Sequence, residues 1–515
     1  MRKNDATVSD PNAVSRRAVL VGGASMASLV AGWRSSWLFA AAAQRAKTLP
    51  PRSSPVPRPS PNPYLSGNFA PVDTELSKMR LPIDGSVPHE LRGTLLRNGP
   101  NPIAADPAEY HWFLGDGMLH AIELRDGEAR YRNRWVRTDV ASDLLGEDPI
   151  AAQPAEVNPT HGIANTSIVS HAGSILALCE AYLPTAFDTN LKTIGRYDFD
   201  GALQSPMTAH PKIDPVTGEM LFFGYDAFGP PYLRFHVADR RGELVRSTDI
   251  EIPGPAMMHD FAITEHHVVF FDAPALFDLS GFLRGGPMIR WEPELGTRIG
   301  VMRRDGDGSD LRWAEIEPCY VFHFLNAWSD GSTLVLDGCR LPRLDIGLDP
   351  DADATTDDRG YLTRFSVDLA TDRATTTQLT DLRGDFPRID DRAAGREHHV
   401  GYLATTVDER AADDPGASNP EEGAFDSVTR IDLADGTTRS HRFGRGRTCG
   451  EPVFAPDPSR DAQDGGWLLT WVYDAATDLT ELVVLDAEDI ESAPVATVHT
   501  GRRVPFGFHG SWIPD

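Results

Sequence analysis

The chain has 515 residues, 41% of them hydrophobic, enough for a large core; closed all-β rings run well past the usual ~150 residues per domain, so length alone does not force several domains. Its 75 acidic against 49 basic residues give a formal charge of −26, a field that repels phosphate backbones and excludes nucleic acid as a partner. The four cysteines, Cys179, Cys319, Cys339 and Cys449, form no CxxC pair, which excludes a disulfide scaffold or thiolate zinc site and leaves metal chemistry to His and carboxylates.

Residues 1–46 begin polar and basic, carry the pair Arg16-Arg17, run apolar from Ala18 to Trp33 and reach the small residues Ala40 to Ala43. A twin arginine ahead of a modest Ala/Gly-rich stretch is the pattern of a bacterial Tat export signal. The expected location is therefore the periplasm or cell surface, the alternative being a cytoplasmic, membrane-peripheral protein with an uncleaved tail. The stretch is shorter than the ~20 residues of a membrane span. Residues 47–63 hold seven prolines and read as an extended linker.

From Tyr64 onward no long stretch has 3.6-residue apolar periodicity, and short runs rich in Val, Ile, Leu, Phe, Tyr and Trp alternate with turn residues. The spacing predicts a nearly all-β domain over 64–515. Strand-turn-strand units are expected at 212–224, 365–376, 431–439 and 467–485, each with Asp, Gly or Thr at a tight reversal. A propeller or a double-sheet sandwich fits such a series, and no strict internal repeat sets a blade count. No Rossmann glycine pattern, P-loop or nucleophile elbow stands in a strand-to-helix context.

Sixteen histidines divide by context. His171, the His266-His267 corner, His398-His399 and His441 lie in polar turns and are expected to be surface or turn residues. His210, His259, His323 and His509 lie among apolar, Gly or Pro neighbours, where an unpaired imidazole costs about 1–3 kcal/mol and so needs a hydrogen-bond partner or a metal. They are 49, 64 and 186 residues apart in turn, so only an architecture that brings distant strands to a common axis, as a propeller does, can converge them. Four neutral imidazoles suit iron(II), copper, nickel or zinc by ligand type, although structural zinc is usually cysteine-rich and closely spaced.

The segments Leu91-Arg-Gly-Thr-Leu-Leu-Arg-Asn-Gly-Pro-Asn-Pro102, His111-Trp-Phe-Leu-Gly-Asp-Gly-Met118, Thr208-Ala-His-Pro-Lys212, Met258-His-Asp-Phe261, Phe322-His-Phe-Leu-Asn-Ala327, Gly450-Glu-Pro-Val-Phe454 and Gly507-Phe-His-Gly510 together resemble the carotenoid cleavage oxygenases. The resemblance runs from about Asn62 to the C-terminus. It implies an all-β, seven-bladed propeller with a loop-and-helix cap over the active-site face. It also implies one Fe(II) on His210, His259, His323 and His509, with O2 as co-substrate. Acidic residues that hold three of the rings map to Glu180, Asp385 and Glu451. Asp385 departs from the family's usual Glu and is one methylene shorter, so either a water bridges it to its histidine or the backbone sits closer. Thr166, in the matching segment Asn165-Thr-Ser-Ile-Val169, stands where some members of the family project a methyl group near an open coordination site.

Four neutral ligands leave the full charge on iron(II) and two open positions in an octahedron. The implied reaction is oxidative cleavage of a carbon–carbon double bond in a carotenoid or apocarotenoid to two carbonyl products. The alternative is cleavage of a stilbenoid, whose phenol is bound by a Tyr and a Lys. Tyr110 could serve as the Tyr, but Asp139-Val140 stand where the Lys is expected, which favours carotenoids. Trp112-Phe-Leu, Phe270-Phe271, Phe277 to Trp291 and Phe506 to Phe508 are candidate tunnel residues for an apolar conjugated substrate. The segment Ala275 to Leu283 is a candidate rim for peripheral membrane contact. A non-catalytic propeller with packed histidines, or an isomerase or hydrolase on the same centre, are the rival readings.

Overall fold

The computed structural model describes residues 62–515, apart from Pro149, residues 151–161, Ala181, Leu283, Gly285, Asp345, residues 347–358 and residues 408–424. The signal-like segment 1–46 and the linker up to Pro61 lie outside the described residues. Asn62 caps the short 3-10 helix Pro63–Leu65, its side chain accepting from the Tyr64 amide at 2.9 Å.

Strands dominate, as the alternation requires. In Glu128–Trp135 the residues Ala129, Tyr131, Asn133 and Trp135 turn inward and the charged residues between them outward. Met220–Tyr225 (MLFFGY) is buried along its whole length, as expected of a strand covered on both faces. All four predicted hairpin units form: Lys212–Ile213 pairs with Met220–Tyr225, Gly360–Asp368 with Arg373–Arg388, Ser427–Asp432 with Thr438–Arg442, and Gly466–Asp474 with Leu479–Asp486. Among the described residues the α-helices are Asp139–Leu145 and Leu279–Phe282, and no helix is long and apolar enough to cross a membrane.

The strands form antiparallel sheets that follow one another along the chain: one over 167–196, one over 212–250, one over 262–316, a seven-stranded one over 320–442 and one over 447–499. A closing sheet joins the two ends of the described chain, because Gly510–Pro514 pairs with Gly93–Pro100. Likewise Ile83–Gly85 adds to the 447–499 sheet through Ala496–His499.

Each consecutive pair of sheets shares an apolar core. Leu178 and Leu176 meet Phe222 and Met220; Phe223 and Phe235 meet Phe270 and Val268; Phe271 and Val301 meet Phe324 and Phe365. Tyr402 and Val428 then meet Leu468 and Val472, Trp471 and Leu482 meet Leu95 and Tyr131, and Leu96 and Leu119 return to Ile168 and Ala177. The sheets therefore stack face to face around a closed ring, which decides for the propeller over the sandwich. A further core, Leu325, Cys339 and Leu362 against Leu403 and Ile431, lies within the seven-stranded sheet, where the 16-residue strand Arg373–Arg388 changes partner from Gly360–Asp368 to Val400–Thr406.

Two expectations are corrected. His171 and His398 are buried, at 8% and 2% exposure, despite polar sequence neighbours. His171 Nε2 meets Gly218 O at 2.9 Å, which offsets its burial, and His398 Nδ1 meets the Asn326 amide at 3.2 Å while its Nε2 stays 4.0 Å from the Asp337 carboxylate. Phe270 and Phe271 are inter-sheet core at 0% and 3% exposure, and this packing accounts for them without a tunnel.

Candidate metal centre

Each of the four singled-out histidines stands at the start of a sheet. His210 precedes Lys212–Ile213, His259 precedes Ala262–Ile263, His323 lies in Tyr320–Asp330, and His509 precedes Gly510–Pro514. First strands of successive sheets line the axis of the ring, so rings far apart in sequence meet there. One nitrogen from each of the four falls within 4.8 Å of the others. His210 Nε2 and His259 Nε2 are 2.9 Å apart, and the ring of His210 lies 4.5 Å from His509 and 5.0 Å from His323.

The outer nitrogens face carboxylates. His323 Nδ1 is 2.9 Å from Asp385 Oδ1, His509 Nδ1 is 3.0 Å from Glu451 Oε1, and His259 Nδ1 is 2.6 Å from Glu180 Oε2. Asp385 thus reaches its ring directly despite its shorter side chain. The strand breaks register between Asp385 and Arg388, and Phe386 takes a φ of 54°, so the backbone bulges toward the histidine. His210 has its backbone amide on Thr208 Oγ1 at 3.1 Å, and that hydroxyl also reaches His259 O at 3.2 Å.

At His323 and His509 the Nδ1 hydrogen bond fixes which nitrogen carries the proton, whereas His259 Nδ1 lies close to Glu180 Oε2 without hydrogen-bond geometry. A ring that gives its Nδ1 proton to a carboxylate turns a lone pair inward from Nε2. Among the described residues His323 Nε2 is buried without a hydrogen-bond partner, and His210 Nε2 lies at hydrogen-bond distance from His259 Nε2, a contact that either a shared proton or a shared cation can bridge. Two ligand nitrogens at right angles on one ion at ~2.1 Å would be about 3.0 Å apart. The four rings therefore fit a shared cation.

Electrostatics favour the neutral ligand form at His210 and His509. Burial, then the neighbouring imidazoles of His509, His259 and His323, hold His210 well below the ordinary histidine value, so it stays neutral and able to ligate. Burial likewise lowers His509, against the pull of Glu451. Burial opposes protonation of His259 too, but there the Glu180 carboxylate prevails and raises it. Glu451 is held at about 2: burial pushes it up, and the Arg388 guanidinium, then His509 and the Gly510 amide overcome that. Its Oε2 accepts from Gly510 N at 2.7 Å, and Arg388 Nη1 lies 3.5 Å from Oε1.

Thr166 accepts the His509 amide on its carbonyl at 3.1 Å and donates its hydroxyl to Asn165 Oδ1 at 2.9 Å, which leaves the methyl as its free substituent. Phe322 stands edge-on to His259, and Phe386 stacks on His323 and meets His509 at 5.3 Å. Trp112, Phe113, Phe506 and Phe508 form one aromatic cluster with Phe69, leading from the residue before His509. The Tyr110 hydroxyl packs over Gly115; burial, then the nearby Asp116, pushes its pKa far up. Asp139 opens a short helix and pairs with Arg196 at 3.5 Å.

Residue-by-residue reading missed Phe386, Arg388 and Cys339. Burial, then the nearby Asp385 carboxylate, drives the Cys339 thiol far up, so a neutral thiol lies beside the carboxylate that serves His323. The first two lie in the same Gly384-to-Asp390 segment that supplies Asp385, which was the available signal. Nothing in the sequence pairs Cys339 with it.

A family model described as retinal pigment epithelial membrane protein matches residues 69–514. The chain belongs to the carotenoid cleavage oxygenase family. It is 38% identical over 506 residues to the carotenoid cleavage oxygenase of Mycobacterium tuberculosis, covering 88% of this chain and 98% of that protein. Its fold matches the crystal structure of Pseudomonas brassicacearum lignostilbene dioxygenase with a TM-score of 0.80 and 31% identity, covering 90% of this chain and all of that one (100%). It also matches cobalt-substituted Synechocystis apocarotenoid oxygenase with a TM-score of 0.75 and 28% identity, covering 89% and 100%.

Proposed function

We propose that residues 64–515 act as one iron(II) dioxygenase unit that cleaves a carbon–carbon double bond of a carotenoid or apocarotenoid, with O2, to two carbonyl products. The observation that carries this is the convergence of four imidazole nitrogens within 4.8 Å, in a chain 38% identical to a carotenoid cleavage oxygenase. We read the seven-stranded sheet as two blades that share Arg373–Arg388, a reading supported by the change of partner along that strand. The cobalt-substituted relative supports a transition metal at the corresponding centre.

His210, His259, His323 and His509 would hold the ion, and iron(II) bound there supplies reactivity toward O2 that no side chain possesses. The protein's own part is positional. Glu180, Asp385 and Glu451 keep the Nδ1 protons outward and the ring planes fixed. The Thr166 methyl narrows access beside the ion. Phe322, Phe386 and the Trp112 cluster exclude water and offer an apolar wall to a polyene. With Asp139 rather than a lysine beyond Arg137-Thr138, the site has less to offer a stilbenoid phenol.

Ala275 to Phe277 pack against the inter-sheet cores, so the proposed lipid-facing part of the rim narrows to Leu279–Phe282, where Phe282 is 39% exposed; vesicle co-sedimentation that F282D abolishes tests this. Tat export follows from Arg16-Arg17, and replacing both by Lys should keep the protein inside the cytoplasm of a bacterial host.

The function itself is tested by incubating iron-loaded protein with carotenoids, apocarotenoids and stilbenoids under 18O2 and weighing the products. Labelled aldehydes from a polyene are expected. Full iron occupancy without polyene cleavage, or products free of label, would overturn the assignment, the latter in favour of an isomerase or hydrolase.

A further inference from the structure

Asp260 follows His259 and is buried at 2% exposure. Its carboxylate takes three donors from three segments. Oδ1 accepts from Lys212 Nζ at 2.7 Å and from the Phe261 amide at 2.8 Å, and Oδ2 accepts from the Phe324 amide at 2.9 Å. Lys212 lies two residues after His210, and Phe324 is the residue after His323. One side chain thus joins the stretches that carry three of the four converging rings.

The local backbone is arranged for this. Tyr320–Asp330 breaks register with Thr333–Leu341 on both sides of Phe324, so the bulge that turns His323 toward the axis carries the amide that Asp260 accepts. Lys212 lies 5.9 Å from the ring centroid of Phe261, itself packed at 90° on Phe223. A buried carboxylate is tolerated only when charge and donors compensate it, and among the described residues Lys212 is the cation paired with it.

We infer that Asp260, with Lys212 as its counter-charge, is a positioning residue that presets the spacing of His210, His259 and His323, so that the centre is shaped before a metal arrives. This rests on the metal reading of the four histidines. An amide in place of the carboxylate has one acceptor oxygen for three donors and sets its NH2 against at least one of them. The bulge at His323 and the loop at His210 then lose their common anchor.

The test uses cobalt(II), whose visible spectrum reports ligand geometry, in the wild type, D260N and K212M. Wild-type protein is expected to keep one cobalt per chain against a competing chelator. D260N should bind it roughly 10- to 100-fold more weakly, with shifted visible bands, and K212M should be intermediate. A merely structural role would lower the melting temperature and leave affinity and spectrum of the folded variants unchanged; that outcome overturns the inference. Should D260N fail to fold, K212M decides, since wild-type affinity and bands in that variant refute the clamp. Wild-type protein that takes up no cobalt refutes the metal reading and the clamp together, whereas uptake matched by both variants refutes the clamp alone.

Discussion

A neutral imidazole has one donor and one acceptor, so the partner of one nitrogen decides what the other can do. His236 lies between Ser205 and Ser247, and His120 Nδ1 meets the Tyr131 hydroxyl at 2.8 Å; such buried rings are accounted for by protein partners. His323, like His111 and His398, has a buried Nε2 without a hydrogen-bond partner among the described residues, but it alone of these three stands beside three further imidazoles. Replacing His323 by Ala should abolish both iron retention, measured by elemental analysis, and turnover. Glu451 gives a signed pH dependence. Its folded pKa of about 2 lies below the ordinary 4.5, so its stabilising contribution is fully present above pH 4.5 and is lost as pH falls toward 2. The melting-temperature gap between wild type and E451Q should be steady above pH 4.5 and close below it. The ligand set was legible in sequence because apolar neighbours flagged these rings and family motifs selected them. Cys339 and Asp260 were not, because their roles depend on contacts 46 and 64 residues distant, with Asp385 and Phe324.

Hairpins were the most legible elements, since a tight Asp/Gly reversal between alternating runs is a local property. The bulges at His323 and Asp385 were not, because a register shift is set by the partner strand. The Phe506-to-Phe508 loop shows the same dependence. Phe508 N donates to Asn98 O, Asn98 N donates to His509 O, and a Cβ on Gly507 would lie 2.7 Å from Asn98 O. That oxygen belongs to a strand and cannot yield. G507A should therefore push the His509 loop outward and cost about 1–3 kcal/mol, read as a lower melting temperature together with weaker metal retention.

Ring closure belongs to the whole molecule. Gly510–Pro514 completes the sheet that begins with Gly93–Pro100, and the core of Leu95, Tyr131, Trp471 and Leu482 seals the last sheet to the first. Deleting residues 511–515 keeps every candidate ligand but removes the closing strand. The expected outcome is loss of a single cooperative melting transition and of metal retention; an unchanged melt would show that the ring closes without it. Sequence periodicity indicated sheets but not their ring; the histidine separations and the family motifs pointed to the propeller, and cores shared by neighbouring sheets, such as Phe223 with Phe270, bear it out. The central claim is that four imidazoles share one iron, and X-ray absorption at the iron edge of the purified protein tests it most directly. A first shell of nitrogen and oxygen with the multiple scattering of four imidazoles is predicted; two or fewer imidazoles, or a sulfur scatterer, would contradict it.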